Sequence, residues 1–207
     1  MAKVATKYLI FHCTDTPEGR EVTKSDIYLW HLGPAKQPNG TWKYLGKFYK
    51  TIDALPQNEY IPNTQITPYA SAKAGGGRGW QQVGYTDLIM LNGDVVRLAY
   101  NNNDEWVDSN EITNGATGFN SNSRHVVYAG GMDKITKKAK DTRTPAQKDA
   151  MKDYVLNNML KIAPNVIICG HRDVSAKPCP SFVVQDFLKE IGVPEKNIGV
   201  RGKNLPK

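Results

Sequence analysis

Two short stretches of this 207-residue sequence carry side chains that could do chemistry together. One is Phe11-His12-Cys13-Thr14. The other is Gly170-His171-Arg172-Asp173, followed by Lys177-Pro178-Cys179-Pro180-Ser181. Imidazole and thiolate are good zinc donors. Cys179 stands eight positions after His171, and Pro178 and Pro180 stiffen the chain on either side of it, which suits a ligand held in fixed geometry. Three protein ligands leave one tetrahedral position open, the arrangement of catalytic rather than structural zinc. A bound cation would also keep the thiol deprotonated. Taken singly, His12 reads equally as a buried histidine and Cys179 as a core cysteine, so spacing alone leaves both readings open.

The elements that must position these residues are legible as strands and capped helices. Lys7 to Cys13 reads as a largely apolar strand with His12 at its carboxyl end. Val166-Ile167-Ile168-Cys169 is wholly apolar, which predicts a central strand covered on both faces, with His171 just past its end. Open α/β sheets place their sites beyond the carboxyl ends of strands, so the two histidines can converge. Val83 to Met90 and Val95 to Ala99 read as a hairpin turned at Asn92-Gly93-Asp94, and His125 to Ala129 as a further strand. Thr23 with Asp26 predicts the start of a helix carrying Ile27, Trp30 and His31. Thr144-Pro145 with Gln147 predicts the start of one that runs to Ile162, and a last helix covers about 181–191. Strands alternating with helices predict an α/β fold with a mixed central sheet. Residues 34–79 differ in texture, rich in Pro, Gly and polar residues, and read as an insertion with some structure of its own, including a strand or hairpin within 42–52.

Composition bounds the rest. With 40% hydrophobic residues the chain can bury one good core, so a single domain over 1–207 is expected, with the insertion at 34–79 and a basic tail at about 192–207. No stretch approaches the roughly 20 apolar residues of a membrane helix, and no apolar segment of signal-peptide type follows Met1 to Lys7. The expectation is a chain made in the cytoplasm that reaches any outer target only after release. The net charge of +7 favours polyanionic partners. Its basic stretches, Lys134 to Lys152 and Lys196 to Lys207, do not interleave aromatics with charge, so no specific nucleic-acid partner is expected. Three cysteines, Cys13, Cys169 and Cys179, argue against a disulfide framework.

These pieces, in this order, resemble the type 2 zinc N-acetylmuramoyl-L-alanine amidases, which share a fold with peptidoglycan recognition proteins and include short phage endolysins. The resemblance rests on Phe11-His12-Cys13-Thr14, Ile27 to His31, Gly79-Trp80 leading to Val83-Gly84-Tyr85, Leu91-Asn92-Gly93, Gly118 to Ser123, Gly130-Gly131, Thr142 to Gln147, Gly170 to Asp173 and Lys177 to Phe182. It implies the peptidoglycan-recognition/amidase fold, Zn2+ held by His12, His171 and Cys179, and Tyr85 and Lys177 as the catalytic pair. The implied substrate is the peptidoglycan amide between N-acetylmuramic acid and L-alanine; the basic charge adds anionic wall polymer as an expected partner, and a monomeric chain is expected. A non-catalytic peptidoglycan-binding module of the same fold is the alternative, and the intact His, His, Cys set argues against it.

Two positions depart from the family pattern. Thr86-Asp87 follow Tyr85 where the family commonly has His and an aromatic, and Gly115 stands where a cleft histidine is common. Neither is a metal ligand. The remaining polar residues near the motifs read more plainly. Asp173 is expected either to orient a ligand histidine or to pair with an arginine; His31, His125 and Cys169 are expected to be structural, and Cys13 to point to the opposite strand face from His12.

Overall fold

The computed structural model describes residues 3–206. Contacts along the chain gather into two units, one running to Glu21 and resuming at Tyr85, the other Val22–Gly84. Five strands form the central sheet of the first unit: β1 (Tyr8–Cys13), β2 (Asp87–Ile89), β3 (Val95–Arg97), β4 (Ser123–Tyr128) and β5 (Ile167–Gly170). The helices are, in chain order, α1 (Lys24–Leu32), α2 (Pro68–Lys73), α3 (Pro145–Asp153), α4 (Leu160–Ile162) and α5 (Val184–Glu190). The sheet order is β5-β1-β4-β2-β3, parallel except for the β2–β3 hairpin. This is the expected α/β class, a mixed central sheet with flanking helices.

Alternation along β1 sorts the core. Leu9, Phe11 and Cys13 face one way, into a cluster with Met151, Val155 and Met159 from the 145–162 helical run and Val184, Phe187 and Leu188 from α5. Tyr8 and Ile10 face the other way, against Ala116, Cys169 and Leu205. His12 shares the parity of this second face. All six residues of β1 are buried, so every side chain on it is fixed by packing.

Three expectations need correction. β5 is covered on both faces but is not central; it is the edge of the sheet, and its open side is closed by the segment after α5, where Gly199 N–H donates to Ile168 O at 2.8 Å. The strand expected at 83–90 shrinks to Asp87–Ile89, because Gly84 N–H is spent on His31 Nδ1 at 3.0 Å rather than on the sheet. The helix expected to continue to Ile162 is interrupted by a six-residue π segment, Tyr154–Met159, before α4. Its first residue is tied down, since Tyr154 O–H donates to Asp87 Oδ2 at 2.7 Å in the core.

The second unit is built from local signals. Thr23 and Asp26 close a full capping box on α1, which buries Ile27, Tyr28, His31 and Leu32. Ala35–Lys36, Trp42–Tyr44 and Lys47–Tyr49 form a three-stranded antiparallel sheet, and Thr67 caps α2. The unit therefore includes α1 together with the 34–79 segment. Among the described residues no helix is long and apolar enough to cross a membrane.

α3 is anchored by the capping box foreseen at Thr144. Thr144 Oγ1 accepts from Gln147 N–H at 3.0 Å and donates to Leu91 O at 2.7 Å. The buried Gln147 amide in turn donates to Ile89 O and Ala129 O, joining the ends of β2 and β4. Thr144→Ala removes the cap and should cost about 1–2 kcal/mol. A urea midpoint unchanged from wild type would show that this cap contributes nothing.

Candidate metal centre

The parallel register brings the first two candidates level. Gly170 pairs with Phe11 across β5 and β1, so His171, the next residue, stands beside His12 at the carboxyl edge of the sheet. Their rings lie 4.6 Å apart between centroids. His171 opens a 3-10 turn, His171–Asp173, and the chain then loops back to Cys179. The neck of that loop is closed by Arg172 N–H, which donates to Cys179 O at 2.6 Å. Beyond it, Tyr128 O–H donates to Pro180 O at 2.8 Å. Gly170 permits the close approach: a Cβ there would meet Pro180 Cδ at 2.7 Å and Val184 Cγ2 at 3.0 Å.

The result is a three-donor cluster. His12, His171 and Cys179 each offer one ligand atom, all within 4.8 Å of one another, with His12 buried and the other two half-buried. Cys179 Sγ is 3.8 Å from His12 Nδ1. Tetrahedral zinc with ordinary Zn–S and Zn–N bonds separates sulfur from nitrogen by roughly 3.6 Å, so the spacing fits that ion. Cys13 N–H also points at Cys179 Sγ, at 3.3 Å, a contact that favours thiolate.

The electrostatics suit neutral imidazoles. Burial, helped by the Lys177 charge, lowers His171 to about 4. Burial, helped by His171, lowers His125 to about 3. The adjacent Cys13 thiol, and then burial, push Cys179 above the ordinary thiol range, while the same contact lowers Cys13. A cation bound at the cluster would reverse that preference and hold Cys179 as thiolate.

The two other candidates take different positions. The Tyr85 ring lies beside His12, 5.0 Å between centroids. Lys177 is exposed on the loop between His171 and Cys179, in a shallow depression with Arg172, Ser175, Ala176 and Pro178, and its charge is felt at His171. Asp173 does neither of the things expected of it. It caps its own turn by accepting Gly170 N–H at 2.8 Å and takes a second bond from Gln185 Nε2 at 3.0 Å. His31 is buried in the second unit, stacked near Trp80, and Cys169 is a core residue. Cys13 lies with the opposite core face as expected, although its backbone serves the cluster.

Sequence reasoning passed over His125. Its Nδ1 sits 3.0 Å from His12 Nε2. The signal was one of register: His125 pairs with Ile10 and Val127 with His12, so positions 125 and 12 share a face of adjacent parallel strands. Thr86, at the position where a histidine was expected, accepts His125 N–H on its hydroxyl at 3.3 Å. An imidazole stands at the site all the same, contributed from the next strand.

Comparison with known proteins gives the family and the fold. No protein-family profile matches the chain. The endolysin of Enterobacteria phage K11 is 31% identical over 112 residues, which span 54% of this chain and 68% of that protein. The chain belongs to the phage endolysin family. Its fold agrees with that of solved structures that are more distant in sequence. One is the N-acetylmuramoyl-L-alanine amidase LysC from Clostridium intestinale, with a TM-score of 0.53 and 16% identity over 92% of this chain and 87% of that one. Another is Drosophila PGRP-LB, with a TM-score of 0.52 and 16% identity over 98% of this chain and 88% of that one. The chain is accordingly a peptidoglycan hydrolase on the amidase and peptidoglycan-recognition fold.

The buried histidines give the endolysin a signed pH response. His31 is lowered from 6.5 to about 4 by burial and the Arg78 charge, alongside His171 and His125. A histidine held neutral in the fold takes up its proton first in the unfolded chain, so its contribution is complete above about 6.5 and fades as pH falls toward 4. The urea midpoint of metal-free protein should therefore drop between pH 7 and pH 5. A midpoint that stays level over that interval would contradict the burial of these rings.

Proposed function

We propose that this endolysin cleaves the amide between the lactyl group of N-acetylmuramic acid and L-alanine in peptidoglycan, using zinc held by His12, His171 and Cys179. The observation that carries the reading is the convergence of two imidazoles and one thiol, from chain segments far apart in sequence, at ligand spacing on the carboxyl edge of the sheet. Two nitrogens and one sulfur form a donor set that zinc favours over harder cations. Zinc at such a site supplies a Lewis acid for the scissile carbonyl and activates water near neutral pH.

The chain's own residues do the remainder. Tyr85, beside the His12 ring, presents a phenol O–H that can donate to the carbonyl oxygen as negative charge grows there. Lys177 brings an ammonium on the loop that joins His171 to Cys179, able to donate to the same oxygen or to pass a proton to the departing alanine nitrogen. Thiolate and neutral imidazole together keep the net charge at the metal low. The surplus of basic residues supports retention on an anionic cell wall, where the enzyme acts.

Digestion of purified sacculi tests the bond. New N-terminal alanine is expected; new reducing sugar ends would refute the assignment. Cys179→Ala should lose zinc and lytic activity together, and lysis by a demonstrably zinc-free variant would remove the metal from the mechanism. Tyr85→Phe and Lys177→Ala should each keep zinc and slow turnover by about 10²–10³. A variant with wild-type turnover takes its residue out of the reaction.

A further inference from the structure

We infer that His125 is the positioning residue for His12, accepting its Nε2–H on Nδ1 and so holding it with Nδ1 bare and turned to the metal. The inference rests on the zinc reading above and adds a residue to it.

His12 has two ring nitrogens, and the structure gives them different neighbours. Nδ1 faces Cys179 Sγ at 3.8 Å, while Nε2 faces His125 Nδ1 at 3.0 Å. A nitrogen that gives its lone pair to a metal carries no proton, so a neutral His12 must keep its proton on Nε2. There it meets His125 Nδ1, which can only accept. His125 then keeps its own proton on Nε2, an atom with no hydrogen-bond partner among the described residues. Nothing competes for that ring, and its tautomer follows from the one His12 adopts.

The surroundings make the contact rigid. His12 is 1% exposed and His125 fully buried, each on a strand whose every residue is buried. The His125 peptide is clasped by Thr86, which donates its N–H to His125 O at 2.7 Å and accepts His125 N–H on its hydroxyl. An apolar side chain at 125 would suit this interior better than a ring with an unpartnered nitrogen. Metal-bound histidines commonly pass their second N–H to a carboxylate or carbonyl. Here a second imidazole stands at contact distance in that place.

The test measures zinc binding itself. Zinc affinity of wild type, His125→Leu and His125→Asn would be set by competition with a chromophoric chelator at pH 7.5, with circular dichroism to establish folding. Leucine removes the acceptor, and binding should weaken about 10–100-fold. Asparagine places an amide oxygen near the former Nδ1 and should recover most of that loss. A wild-type chain that takes up no zinc overturns the proposed function and this inference together. If wild type binds and His125→Leu binds within about threefold of it, the inference falls alone. An asparagine variant as weak as the leucine one also overturns it, since ring bulk rather than an acceptor would then be at work. Should His125→Leu fail to fold, long-range 1H–15N correlation spectra of zinc-loaded wild type decide: a bare His125 Nδ1 supports the inference, and a protonated one sinks it.

Discussion

The site depends on parallel pairing. β1 and β5 run in the same direction in direct contact, and their register sets Gly170 opposite Phe11. That alignment alone brings residues 12 and 171 to the same height at one edge of the sheet. An antiparallel neighbour would send its chain away at the opposite edge. The third donor needs a separate device, the loop that returns Cys179 to the strand ends and is fastened there by Arg172 N–H and Tyr128 O–H. The core cluster under β1 fixes the strand, and the strand fixes the donors.

Burial has two opposed effects on these donors. It favours the neutral imidazole, which is the form that coordinates, and disfavours the thiolate, which the site also requires. The cluster is thus balanced for a cation: the Cys13 thiol, and then burial, favour the protonated Cys179, and a bound cation would cancel locally the charge they resist. Proton competition and metal retention are therefore coupled at a single sulfur.

Much of this was legible in the sequence, for physical reasons that also mark where legibility ended. Capping boxes are local, and those at Thr23 and Thr144 stand where the residues foretold. Strand β1 is apolar from Tyr8 to Phe11 and was equally plain. Edge or centre is another matter: Ile167–Gly170 reads as central because both its faces are covered, and hydrophobicity reports coverage rather than the number of neighbouring strands. The π segment within the 145–162 run escapes because apolar spacing does not register one widened turn. His125 escapes because its meaning lies in the pairing of strands more than a hundred positions apart, and only the register shows that two histidines share a face. The segment 34–79 announced itself by composition, yet α1 groups with it through contacts that composition does not encode.

The loop from His171 to Cys179 is cinched at its neck by one backbone bond, while Asp173 secures the turn at its start. Val174 packs against the core and Ser175 O accepts from Arg201, while Ala176 and Lys177 stand exposed outside the knot that fixes the ligands. Ordering at the neck and variation at the tip are mechanically separate. A change at Ala176 can therefore alter what the loop presents to solvent while Lys177 and the ligand geometry stay as they are.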